Sequence, residues 1–122
     1  MSSQERLRNA LSHKEGRVPV DLGSTPVTGM HAQVVEQLRK HYDLERRPVK
    51  IHEPYQMLGL IEEDLKQALG VDIDGVYPSA TLFGFPADNW KEWRAPWGQE
   101  LLVPGNFNVS YDEAGACYLY PQ

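Results

Sequence analysis

A single cysteine, Cys117, is the chain's only thiol, so no internal disulfide can form, in keeping with a reducing compartment. No apolar run approaches the ~18–20 residues that span a bilayer, and the first residues, Ser2-Ser3-Gln4-Glu5, are polar where a leader would be basic and then apolar. These absences predict a cytoplasmic protein with no membrane partner. Positive charge is scarce as well: 12 Lys and Arg face 17 Asp and Glu, a net charge of -5, and the one local basic cluster is Arg46-Arg47. Without a basic field to hold a phosphate backbone, nucleic acid is excluded as a partner. Metal-ligand spacing is missing too. His31, His41 and His52 stand ten and eleven residues apart, and Cys117 has neither a Cys-x-x-Cys partner nor a nearby histidine, so no metal site is expected. His13 and His41 fall in the last turns of predicted helices, where a cation meets the negative end of the dipole. Internal repeats and low-complexity stretches are absent.

What is present is an ordinary globular composition, 41% hydrophobic and 24% charged, in 122 residues, which bounds the chain at one domain with a real core. Helix signals come first. Ser2 caps a helix over residues 2–14, Glu5 reaches back as in a capping box, Leu7, Ala10 and Leu11 share a face, and Gly16 ends it. Val18-Pro19-Val20-Asp21-Leu22 then reads as a short strand closed by Gly23-Ser24-Thr25-Pro26, with Pro19 marking an edge. A second helix is predicted from Thr28, with Met30, Val34, Leu38 and Tyr42 on one stripe, stopping by Asp43. Val49 to His52 is the next strand. After Glu53-Pro54 a third helix is predicted to Leu69, with Gly70 as its C′ residue, followed by a strand from Ile73 to Tyr77. This alternation predicts βαβ units and a parallel sheet.

Beyond residue 80 the character changes. All three tryptophans (Trp90, Trp93, Trp97) and all three phenylalanines lie there. Turn signals at Pro96-Trp97-Gly98, Pro104-Gly105-Asn106 and Asp112-Glu113-Ala114-Gly115 separate short runs, which predicts an antiparallel meander. The tryptophans have two readings, a stacking platform for a sugar or other flat ligand, and core that covers an open side of the sheet; their spacing of three and four is also helical.

The order Arg17-Val18-Pro19-Val20-Asp21-Leu22-Gly23, Thr28-Gly29-Met30-His31, Pro54-Tyr55-Gln56-Met57-Leu58-Gly59 and Leu69-Gly70-Val71-Asp72 resembles the N-terminal region of the uroporphyrinogen decarboxylase and corrinoid methyltransferase superfamily, in its methyltransferase-like branch. Phe83-Gly84-Phe85-Pro86, Trp90-Lys91-Glu92-Trp93 and Val103-Pro104-Gly105-Asn106-Phe107-Asn108 are similar to one subgroup of that branch. The likeness runs along nearly the whole chain, as many short matches in order.

The resemblance implies an α/β fold: the opening βα units of a (β/α)₈ TIM barrel over residues 1–80, then an aromatic-rich β-meander over 81–122. It also implies that the chain is about a third of a full barrel enzyme, inactive alone. Such a piece would meet a corrinoid protein, a barrel-completing chain or another copy of itself as partner. The function implied is methyl transfer involving a corrinoid protein and a thiol or small methyl donor, with zinc and corrinoid as cofactors of a full-length relative and none held by this chain; the non-enzymatic alternative is a small-ligand module built on the tryptophans. The decarboxylases' arginine-bearing N-terminal segment and their aspartate after a strand have no counterpart here, where the sequence reads Leu22-Gly23-Ser24-Thr25 and Gly75-Val76-Tyr77-Pro78. Side chains at the C-terminal ends of barrel strands face the active site, which makes Asp21, His52 and Glu53 the candidate substrate-binding residues. Asp21 equally suits a turn role with Gly23 or Ser24, and His52 and Glu53 a solvated strand end before Pro54.

Overall fold

A computed structural model describes residues 1–120. Helix α1, Ser3–Leu11, opens with the predicted capping box: Ser2 Oγ accepts from Glu5 N at 3.2 Å, and Glu5 Oε2 accepts from Ser2 N at 2.7 Å. It stops short of Gly16, because His13 turns to φ 53°. The helix buries none of its residues and leaves Leu11 74% exposed. Polar contacts hold it instead: Ser3 and Arg6 both donate to the carboxylate of Asp72.

Two of the three predicted parallel strands do not form. Val18 to Leu22 runs without a ladder, since Pro19 has no N–H to donate. It is pinned through one residue, with Asp72 N donating to Val20 O at 2.8 Å and Val20 N donating to Asp72 Oδ2 at 3.0 Å. Ile73 to Tyr77 lies beside it and also remains outside any sheet. One backbone bond and one side-chain bond stand where a backbone ladder was expected.

Helix α2, Ala32–His41, begins later than Thr28, which sits in a 3₁₀ turn over Pro26–Thr28. The cap is His31, whose Nδ1 accepts from Gln33 N at 3.1 Å. Ala32, Val35 and Arg39 form the buried face, while Val34 and Tyr42 are each more than 40% exposed. The predicted stripe was therefore rotated by about one residue.

Strand β1, Val49–Glu53, forms with alternating burial. The helix predicted to follow it is broken: the chain turns at Pro54, Met57 takes φ 56°, and β2, Leu58–Gly59, returns antiparallel to β1. Only Glu63–Leu69 is helical, as α3, and Gly70 closes it at φ 67° as expected. Strands β3, Lys91–Arg94, and β4, Glu100–Val103, pair antiparallel around the Pro96-Trp97-Gly98 turn, and β4 then docks parallel to β1, with Val49 opposite Leu101 and Lys50 opposite Leu102. The first sheet thus has the order β2-β1-β4-β3. Strands β5, Val109–Tyr111, and β6, Cys117–Leu119, make a separate two-stranded hairpin.

The partial TIM barrel is corrected by this topology. Among the described residues there are three α-helices, one mixed four-stranded sheet and one antiparallel pair, not an arc of βα units. The reason is local. The chain reverses straight after β1, so β2 occupies one edge of it, and the aromatic C-terminal segment occupies the other. Ile51, Leu101, Val103, Phe85, Leu65 and Val35 are fully buried in one cluster, and Phe107 packs at 5.6 Å from Phe85 and 5.0 Å from Trp93 between ring centres. Among the described residues no helix is long and apolar enough to cross a membrane.

Candidate ligand-binding cleft

Strand β1 carries the site. Its alternation turns Val49, Ile51 and Glu53 into the core and leaves Lys50 and His52 half-buried on the opposite face. Glu53 is 4% exposed, and its carboxylate closes the turn that breaks the expected helix: Oε1 accepts from Tyr55 N at 3.0 Å and Oε2 from Gln56 N at 2.7 Å. A charge this deep is tolerated because two backbone donors compensate it.

Beyond the end of β1 opens a cleft of about 630 Å³, walled by the Ser24-Pro26 loop, His52 and Glu53, Tyr55, the segment from Val76 to Leu82, and Trp90. The volume suits a small organic molecule. Three aromatic rings, Tyr55, Tyr77 and Trp90, face or border it, and Tyr55 is continued outward by Phe83 at 6.2 Å. Two close approaches shape the wall. A Cβ on Gly75 would strike the Ser24 backbone, so only glycine lets the two loops touch, and the Tyr77 hydroxyl donates to the Gly23 carbonyl.

His52 stands in this wall with its Nε2 buried and without a hydrogen-bond partner among the described residues. The Tyr77 ring lies edge to face against it, 5.4 Å between centres. Burial pushes the imidazole pKa below its ordinary value, against the opposing pull of the Glu53 carboxylate. The ring is therefore neutral near pH 7, with one nitrogen as donor and the other as acceptor. Burial likewise pushes the Tyr77 phenol up, so it stays protonated.

Asp21 does not reach the cleft. Its Oδ1 accepts from Ser24 N at 3.2 Å and Thr28 Oγ1 at 3.2 Å, and its Oδ2 from Ser24 Oγ at 2.6 Å, which makes it the organiser of the loop that forms one wall. The tryptophans separate. Trp90 borders the cleft with the Lys50 ammonium 5.5 Å above its ring, Trp93 packs on Phe107, and Trp97 packs on His31 at 5.0 Å while donating Nε1–H to Gln99. Tyr77 and Trp90 were not singled out for this cleft by sequence, because the contacts that bring Tyr77 to His52 and Trp90 to Lys50 join residues far apart in the chain with no local period.

A second depression of about 460 Å³ lies beside α2, near Lys40 and Arg46. Its deeper guanidinia are already engaged. Arg39 holds Asp64 through two bonds of 2.8 and 2.9 Å and the Glu45 carbonyl through two more, and Arg47 holds Glu62 and Asp64. Among the described residues no three His, Cys, Asp or Glu side chains gather as a metal-binding group. Comparison of the chain with family models, with curated proteins and with solved structures gives no match.

Proposed function

We propose that the chain binds a small organic molecule in the cleft at the end of β1. The observation that carries this is the concave, largely apolar space of about 630 Å³ into which one buried, unpartnered imidazole is built. The test is intrinsic fluorescence against a panel of small aromatic and aliphatic compounds. A binder in the cleft quenches or shifts the Trp90 emission saturably; Trp90→Phe removes that response, and Trp93→Phe and Trp97→Phe retain it. A flat response to the whole panel, or one that survives Trp90→Phe and vanishes with Trp97→Phe, overturns the reading.

A second reading joins this cleft to the family resemblance: the chain serves a uroporphyrinogen decarboxylase-like methyltransferase, presenting a methyl donor or acceptor to a corrinoid protein. Its support is that two of the three candidate residues, His52 and Glu53, line one cleft and the third, Asp21, shapes the loop beside it. Zinc and corrinoid chemistry would come from groups other than the described ones, and binding and orientation from these. Competition separates the readings. Methyl thioethers, methoxy compounds and thiols displace a cleft-bound fluorescent probe if the methyltransferase reading holds, and failure of all of them removes that reading alone.

A further inference from the structure

We infer that the cleft selects a flat, uncharged ligand carrying one hydrogen-bonding group, and that His52 is the residue which selects it. This rests on the small-ligand reading above and adds the ligand's class.

Charge comes first. Among the described residues of the cleft wall Glu53 is the one carboxylic side chain, and both its oxygens are turned back onto the Tyr55 and Gln56 amides. Among the described residues no arginine or lysine lines the wall, and the ammonium nearest to it, that of Lys50, is held over the Trp90 ring, so an anion entering the cleft finds no free counter-ion in the wall itself. A cation meets repulsion at Trp90, whose ring already has the Lys50 ammonium 5.5 Å from its centre. A charged ligand would give up its hydration without an ion pair in return.

Shape and polarity come next. Tyr77 and Trp90 offer ring surfaces, which favour a planar body. Of the less exposed polar groups, the Tyr77 hydroxyl is spent on the Gly23 carbonyl, the Ser24 hydroxyl on Asp21 and the Thr81 hydroxyl on the Leu82 and Phe85 carbonyls, while Thr25 and Gln56 are exposed at the rim. His52 Nε2 is the exception, buried and without a bond, beside the Tyr77 ring. A group left in that condition costs stability until something completes it, so a ligand that reaches this nitrogen and supplies the missing bond gains what the empty cleft lacks.

The experiment uses the full chain and four probes built on one bicyclic frame: indole and indene, which differ by N–H in place of CH₂, with indole-3-carboxylate and 3-(aminomethyl)indole as the anion and the cation. Binding is followed by calorimetry and by the His52 imidazole signals in ¹H–¹⁵N spectra. Indole is expected to bind about tenfold or more tightly than indene, the size of one completed buried hydrogen bond, to move the His52 ring nitrogens, and to exceed both charged probes. His52→Leu is expected to bring indole down to indene while leaving indene unchanged, and His52→Gln to restore part of the difference. Melting curves show whether either variant has lost its fold, and the wild-type comparison of the four probes stands without them. Equal binding of all four probes overturns the selection and leaves the cleft reading intact. Tighter binding of a charged probe also overturns it, and no binding by any probe overturns both.

Discussion

His52 and Glu53 are neighbours in sequence and opposites in circumstance. Glu53 enters the core with its charge answered by two amides, and His52 stays at the wall with a nitrogen unanswered. Replacing Glu53 by Ala strands the Tyr55 and Gln56 amides and is expected to cost about 1–3 kcal/mol, read as a lower urea midpoint; Glu53→Gln, which keeps one acceptor, is expected to cost less. For His52 the sign runs through protonation. Its folded pKa lies below the unfolded value near 6.5, so the unfolded chain binds the proton more readily and stability falls as pH drops through that value. Unfolding free energy measured at pH 7.5 and 5.5 is expected to drop more in wild type than in His52→Leu; identical drops would contradict the neutral, buried imidazole. Asp72 acts lower on the scale. Bonds from Arg6, the Val20 amide and Ser3 hold its carboxyl well below the usual range, so its contribution is present above about pH 4 and is lost as pH falls further. Asp72→Asn is expected to flatten the acid limb of the stability curve below pH 4.

At the scale of elements, what the sequence disclosed was what short range decides. The capping box of Ser2 and Glu5, the left-handed Gly70 and the turns at Pro96-Trp97-Gly98 and Asp112 to Gly115 rest on neighbours within a few residues, and each stands where the local chemistry put it. Strands at Val18 to Leu22 and Ile73 to Tyr77 were not decided at that range. Their composition suits a strand, yet each needs a neighbouring ladder, and Asp72 supplies a single pairing to Val20 instead, through its amide and its side chain. The helix after Pro54 failed for a similar reason: the apolar period of Met57, Leu58 and Ile61 also fits a return strand, and the buried Glu53 settles the choice in favour of the turn. Gly59 records how tight that return is. A Cβ there would lie 2.6 Å from Val49 Cγ1 and 3.0 Å from Val35 Cγ2, so Gly59→Ala is expected to destabilise by about 1–3 kcal/mol, seen as a lower melting temperature. A melting temperature equal to wild type would mean that β2 does not lie between β1 and α2.

For the whole molecule, the candidate site was legible in part. Reading the ends of strands singled out His52 and Glu53, and both border the cleft, although alternation along β1 turns them to opposite faces. The other half of the cleft was hidden in tertiary contacts between segments far apart in sequence, such as Tyr77 against His52 and Gly75 against Ser24. The same holds for the fold: β4 pairs with β1 across some fifty residues, and that pairing replaces the parallel barrel neighbour that periodicity alone suggested. The most direct test of a ligand cleft built in this way is an amide and side-chain NMR titration of the full chain with indole. The expected result is a saturable shift shared by His52, Tyr77 and Trp90, with Trp93 and Trp97 unmoved. Shifts that fail to saturate, or that centre on Trp97 or on the β5–β6 hairpin, would contradict it.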